Sequence, residues 1–260
     1  MRGSAGVSQT ERILLFLWLP ILLLVAWEAA ARNLWIDPLF FPPPTSVLAK
    51  GVALTTSGEL PRQVLATVRR ATVSFFAAAL AGLVCGIAMA LFPRVRRSLE
   101  PLVSALYSTP KVSFLPMLFL VFGIGEAARL VLVAMSAFIV ITLYSFDAVR
   151  DSNPAFVEMA RDYGATGLQL VHRVYVPAAM PQIFTGLRLA AGRALLMTIT
   201  TELVSGRDGI GAMIWMAGQT LATETLYAGV IVSGILGWMT HRVLRKIESA
   251  SLPWKRAHAE

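Results

Sequence analysis

Side chains able to do chemistry are sparse in this sequence of 260 residues. The three histidines (His172, His241 and His258) and the one cysteine (Cys85) stand far apart, in no spacing that would close around a metal ion. Cys85 lies inside an apolar run, where a small buried thiol is the ordinary reading. Glu126, Asp147 and Glu202 make no acid–base pair. Asp147 and Arg150, three residues apart, read as a local ion pair at a helix end. There is no Gly-x-x-x-x-Gly-Lys-Ser/Thr phosphate loop, so the chain does not hydrolyse ATP by that chemistry. No catalytic residue, no metal site and no cofactor of its own is expected. What stands out is an apolar run, Ile183 to Val204, interrupted by Arg188, Arg193, Thr198, Thr200, Thr201 and Glu202. If this run crosses a membrane, each charge near its centre costs about 2.5–3.5 kcal/mol. Such a segment has to be surrounded by protein or line a wet cavity, which points to a translocation path or a subunit interface.

The elements that would position these residues are membrane helices. The composition is 56% hydrophobic and 15% charged, with a mean hydropathy of +0.66, well short of the roughly 25% charge of a soluble domain. Apolar runs begin near Ile13, Ala71, Leu102, Leu130, Ile183 and Leu226, which gives about six spans. The first run, preceded by Arg2 and Arg12, has the make-up of a signal peptide, with Ala29, Ala30 and Ala31 as a possible cleavage site. It continues to Ala31 and further spans follow, so an uncleaved first span is expected. Asp37 to Ser46 is a proline-rich extended loop before a short helix near Val47 to Leu54. In the second span, Gly82 and Gly86 form a small-xxx-small pair that permits close helix packing. The third span, Leu102 to Phe122, is broken by Pro110 and Pro116. Gly206 to Gly211 reads as a flexible turn, and Ala212 to Leu221 as a short amphipathic piece. The net charge is +8, but the basic residues sit in short linkers and not on one binding face, so no nucleic acid is implied. Arg94, Arg96, Arg97, Arg150, Arg161, Arg173 and the basic C-terminal end fall on the side of Arg2 and Arg12. Arg32, Lys50, Arg62, Arg69, Arg70, Arg129 and Arg207 fall opposite, a bias of about two to one that puts both termini in the cytoplasm.

The polar stretch from Asp147 to Gln182 holds the sharpest motif. Glu158-Met159-Ala160-Arg161-Asp162-Tyr163-Gly164 is followed, after nine residues, by Val174-Tyr175-Val176-Pro177. Asn153-Pro154 is a turn able to start a short helix, with the proline tolerated in its first turn. Ala160 and Gly164, four apart, would share one helix face that a partner could approach closely. Pro177 cannot continue an interior helix without disruption, and so can fix the exit direction toward the fifth span. This pattern resembles the EAA loop of the permease subunits of ABC importers, with Met159 in place of the second Ala and valines in place of Ile and Leu. Pro110-Lys111-Val112-Ser113-Phe114-Leu115-Pro116, Phe122 to Glu126, Pro181 to Arg188 and Gly209-Ile210-Gly211 are similar to the nitrate/sulfonate/taurine subgroup of that family. The resemblance covers about residues 35 to 254.

The resemblance implies an all-α, polytopic helical bundle of the type I importer fold with a cytoplasmic coupling helix in the inner membrane. Residues 1–12 and 248–260 would be cytoplasmic tails, 13–247 the transmembrane domain, and about 151–181 the coupling loop. It further implies a permease homodimer, a cytoplasmic ATPase dimer that carries ATP and magnesium, and a periplasmic solute-binding protein. Glu158, Ala160, Tyr163, Gly164 and Pro177 would couple to the ATPase. Candidate path residues are Tyr107, Ser108 and Thr109 on the third span, with Arg193, Thr198, Thr201, Glu202 and Ser205 on the fifth. Arg193 would attract an anion or neutralise Glu202. The solute is a small polar or anionic compound of the sulfonate, taurine or nitrate kind; bicarbonate, a heterocyclic nutrient, or a passive channel are the alternatives.

Overall fold

Backbone groups in hydrocarbon find no water, so an apolar segment must satisfy them internally. The computed structural model accordingly shows only helices among its described residues, 9–252, with side chains described from Trp18 onward. In chain order these are α1 Gln9–Arg32, α2 Pro44–Thr56, α3 Glu59–Leu91, α4 Pro93–Ser108, a 3-10 turn Lys111–Phe114, α5 Leu115–Phe122, α6 Glu126–Arg150, α7 Pro154–Asp162, α8 Leu168–Leu170, a π turn Val171–Tyr175, α9 Val176–Ser205, α10 Ile210–Gln219 and α11 Thr223–Ser251. Residues 1–8 and 253–260, which hold most of the two expected tails, lie outside the described residues.

Among the described residues, three helical stretches are individually long and apolar enough to cross a bilayer: α3, α6 and the continuous run Leu168–Ser205. The six apolar runs of the sequence map onto α1, α3, the α4–α5 segment, α6, α9 and α11. The third run is not one straight span. The basic stretch from Pro93 to Arg97, read as a linker, is the first turn of α4, and α4 meets Lys111–Phe122 at a bend of 101°. Pro110 causes this: a residue before proline is pushed out of the helical region, and Thr109 sits at φ −81°, ψ 135°. The fifth run likewise starts earlier than Ile183, because α9 is already helical from Val176.

The chain forms two units. One comprises Met1–Pro61 with Met213–Ile231. In it the Glu28 carboxylate, near the end of α1, accepts from the Thr45 amide at 3.0 Å and the Thr45 hydroxyl at 2.7 Å. A carboxylate at the first turn of α2 satisfies an orphan N–H and complements the helix dipole. Arg32 holds the same carboxylate from the Nε side at 2.5 Å. Trp27 and Tyr227 stack obliquely with ring centroids 5.4 Å apart.

The second unit, Arg62–Ala212 with Val232–Glu260, is built around α6. Ala78 and Ala79 of α3, Val133, Ala137, Val140 and Ile141 of α6, and Ala190 and Ala194 of α9 form one buried cluster. Small residues dominate because helices in lipid gain most from close backbone approach. The Gly82–Gly86 pair serves this purpose. A Cβ at Gly82 would stand 2.9 Å from Ile141 Cβ, and one at Gly86 would run into the Thr142 carbonyl and stand 2.7 Å from Ser145 Cβ. Gly186 of α9 is equally tight, since a Cβ there would collide with the Tyr144 side chain.

Gly86→Val should therefore push α3 off α6, at a cost on the scale of core overpacking, about 1–3 kcal/mol. A thermal-unfolding scan of the detergent-purified protein should show a lowered midpoint. Gly234→Ala, at a helix position with nothing within 4 Å of the added carbon, should leave the midpoint unchanged or slightly raised.

Candidate functional site

The motif loop folds as a short capped helix. The Asn153 side chain accepts from the Ala155 amide at 3.0 Å and Pro154 occupies the first position, so the sequence signal for a helix start holds. At the other end the Gly164 amide reaches Arg161 O at 2.8 Å and the Ala165 amide reaches Ala160 O at 2.9 Å. This pair of bonds closes a helix when the following residue takes a left-handed backbone, and Gly164 does so at φ 82°. The expected shared face of Ala160 and Gly164 is therefore corrected: α7 ends at Asp162, and the glycine is required by the turn beyond it. Val157 is the buried side chain of α7, and Glu158 is exposed. Phe156, Met159 and Tyr163 are 53%, 52% and 87% exposed, at i, i+3 and i+7 on one stripe. Sequence reasoning picked Tyr163 and passed over Phe156 and Met159, although that spacing was visible.

At Pro177 the helix is disrupted locally but not ended. The proline sits in the first turn of α9, and the preceding π turn lets the Val176 amide reach back to Val171 O. A widened turn of this kind accommodates a residue that lacks an N–H and crowds the carbonyl before it. The helix is thus continuous from Leu168 to Ser205.

The second constellation is one the sequence reading did not assemble. Arg70 of α3, only 2% exposed, donates through Nη1 to Glu202 Oε1 at 2.7 Å and to Asp208 O at 3.1 Å. It donates through Nη2 to Asp208 Oδ1 at 2.5 Å and through Nε to Glu126 at 2.9 and 3.0 Å. Arg129 adds a longer contact of 3.8 Å to Asp208. The fully buried Glu202 carboxylate also accepts from the Thr67 hydroxyl at 2.8 and 3.0 Å and from the Gly211 amide at 3.0 Å. Gly209 donates to Gln63 Oε1 at 2.7 Å, and Ile210 to Thr67 Oγ1 at 2.9 Å. Three backbone amides at the start of α10 are thereby satisfied by side chains of α3 and α9. The turn from Gly206 to Gly211, expected to be flexible, is instead clamped. Gly209 has φ 101°, and a Cβ on it would fall on the Glu202 carboxyl group. The missed signal is a polar stripe on an apolar helix: Gln63, Thr67, Arg70 and Ser74 recur at helical spacing.

The candidate path residues separate accordingly. Glu202 is a structural anchor whose cation is Arg70 and not Arg193. Thr198 and Thr201 are buried and bond back to Ala194 O and Thr198 O, each at 2.8 Å. Ser205, Ser108 and Thr109 bond to carbonyls of their own helices at 3.1, 3.1 and 2.8 Å. Arg193 and Tyr107 do come together, with the guanidinium carbon 5.9 Å from the ring centroid. Lys111, not among the expected path residues, places Nζ 5.4 Å from the same centroid and donates to Tyr107 O at 2.5 Å.

Removing one partner of a buried ion pair leaves the other charge stranded, at about 3–5 kcal/mol, whereas an exposed pair contributes about 0–1 kcal/mol. Arg70→Ala should therefore abolish recovery of monodisperse protein in size-exclusion chromatography. Arg69→Ala, which removes a contact to Glu126 from a 65% exposed side chain, should leave the profile intact.

Comparisons with known proteins agree with this architecture. Residues 78–249, well over half of the chain, match the family "Binding-protein-dependent transport system inner membrane component". The taurine transport system permease protein TauC of Escherichia coli (strain K12) is 33% identical over 243 residues, spanning 91% of this chain and 87% of its own. The putative aliphatic sulfonates transport permease protein SsuC of the same organism is 30% identical over 241 residues, 93% and 92% of the two chains. Among solved structures, an inward-facing form of the methionine ABC transporter MetNI superposes with a TM-score of 0.64 at 21% identity, over 74% of this chain and 95% of that one. The chain belongs to the inner membrane components of binding-protein-dependent transport systems: it is a multi-pass permease subunit of an ABC importer, whose ATPase activity resides on a separate subunit and whose partners include a solute-binding protein.

Proposed function

We propose that this permease conducts a small sulfonate-class anion, of the taurine or alkanesulfonate kind, by alternating access. Two copies of the chain form the path, residues 13–247 make up the transmembrane domain, and both termini lie on the ATPase side with the 151–181 loop. A periplasmic binding protein delivers the solute, and an ATPase dimer docked at α7 drives the cycle with ATP and magnesium.

The observation that carries the solute reading is the pair of cations at the break between α4 and α5. Lys111 and Arg193 flank one Tyr107 ring at 5.4 and 5.9 Å, and neither takes part in an ion pair among the described residues. Uncompensated cations in a membrane domain are costly and mark ion or solute pathways. A sulfonate would supply the missing negative charge in transit. The similarity to taurine and aliphatic sulfonate permeases supports the same class. The coupling reading rests on the exposed Phe156–Met159–Tyr163 stripe, an apolar surface with the anatomy of an interface centre. The linker charge bias supports the orientation.

In proteoliposomes carrying the complete importer, the double variant Lys111→Ala/Arg193→Ala should cut ATP-driven taurine or alkanesulfonate uptake by about tenfold or more, the effect of losing roughly 1.4 kcal/mol. Unchanged uptake would remove these residues from the path. Phe156→Asp with Met159→Asp should abolish co-purification of the ATPase and solute-stimulated hydrolysis while membrane insertion persists. Full stimulation in that variant would take α7 out of the docking role.

A further inference from the structure

The end of α1 is closed in an unusual way. Leu34 N bonds to Ala31 O at 3.3 Å and Trp35 N to Ala30 O at 2.9 Å, which demands left-handed backbone at residue 34. That position favours glycine, yet it is a leucine, at φ 57°. No packing among the described residues compensates, since Leu34 is 75% and Trp35 79% exposed. Downstream, Leu39, Phe40 and Phe41 are also exposed, in a turn closed by Asp37, whose carboxylate accepts from the Leu39 amide at 2.8 Å. The turn leads into α2, which buries Val47 and Leu54 and presents Leu48 and Val52, each 64% exposed, one helical turn apart. No charged residue occurs between Asp37 and Lys50.

We propose that residues 34–52 are a membrane-surface anchor, with the 34–41 turn and the outer face of α2 lying in the headgroup–acyl boundary of the bilayer. Four observations select lipid as the partner. From Trp18 to Ala26 the apolar side chains of α1 are exposed all round, a circumference suited to hydrocarbon. The turn follows directly on that helix. At 13 residues α2 is about 20 Å long, too short for a hydrocarbon core of about 30 Å. Trp35, Phe40 and Phe41 stand beside apolar side chains, with Asp37 and Lys50 the only charges from 34 to 52, a make-up that suits the interface. The Glu28–Thr45–Arg32 bonds at 2.5–3.1 Å fix α2 to the end of α1. The strained Leu34 then reads as a side chain placed into lipid at the expense of its backbone. This inference rests on α1 being a membrane span.

The test uses the complete importer in nanodiscs, with Cys85→Ala as background and single cysteines introduced as Trp35→Cys, Leu48→Cys, Leu22→Cys and Asp162→Cys. Each carries an environment-sensitive fluorophore, and the lipids carry nitroxides at the headgroup or deep in the acyl chain. Labels at 35 and 48 should emit blue-shifted and be quenched several-fold more by the shallow nitroxide than the label at 162, with or without binding protein. Water-like, unquenched labels at 35 and 48 beside a deeply quenched label at 22 would overturn the anchor and leave the span standing. Protection at 35 and 48 that arises only on adding binding protein would make the partner a protein and equally overturn it. An unquenched label at 22 would remove the span on which the anchor rests.

Discussion

A charge buried in a membrane protein is costly unless it is paired, and among the described residues Arg70 is the buried cation that the most carboxylates meet. Its guanidinium faces carboxylates from α6, from α9 and from the turn after α9. Each is a place where the helix positions are fixed relative to one another. The close glycine contacts of α3 with α6 set how near these helices lie; Arg70 sets their register at one end. Glu202, bound by Arg70 and Thr67, in turn holds the amide of Gly211. Well-paired buried ions of this kind add little net stability compared with an apolar core, but they specify one arrangement, because any other strands a charge. That is a reading of the cluster as a device for specificity, in a fold whose buried clusters are otherwise apolar.

Against this fixed frame stand the two features on which the proposed function rests. The α7 stripe presents Phe156, Met159 and Tyr163 outward, and the cations Lys111 and Arg193 stand beside Tyr107 without a carboxylate partner among the described residues. In the proposed function the first is the ATPase-docking surface and the second the positive charge that meets the solute. The bend at Thr109–Pro110 brings Lys111 and Tyr107 to the same locality, and α9 supplies Arg193.

How much of this was legible in the sequence follows from the range of the interactions. The Asn153 cap, the Pro154 start and the Asp147–Arg150 pair, now seen at 3.7 Å, are local and were readable from spacing. The Gly82–Gly86 contact was readable as a possibility, because small residues four apart always permit close approach. The clamp on the Gly206–Gly211 turn was not readable. Its partners, Gln63, Thr67 and Arg70, lie more than 130 residues away in sequence, and glycine-rich composition alone suggests mobility. The same distance hid the place of Glu202 in the clamp; its hydroxyl neighbours on α9, which read as a polar lining, bond to carbonyls of their own helix. Pro177 was legible as a disruption from its local rule, but not that the disruption would be a π turn within a continuous helix.

The central claim is that the chain is a gated path powered from outside itself. Its most direct measurement is solute flux through proteoliposomes containing the permease alone, the permease with its ATPase, and the full importer with binding protein. The account predicts taurine or alkanesulfonate accumulation only in the full importer and only with ATP on the ATPase side. Comparable flux through the permease alone, down the gradient and indifferent to ATP, would contradict it.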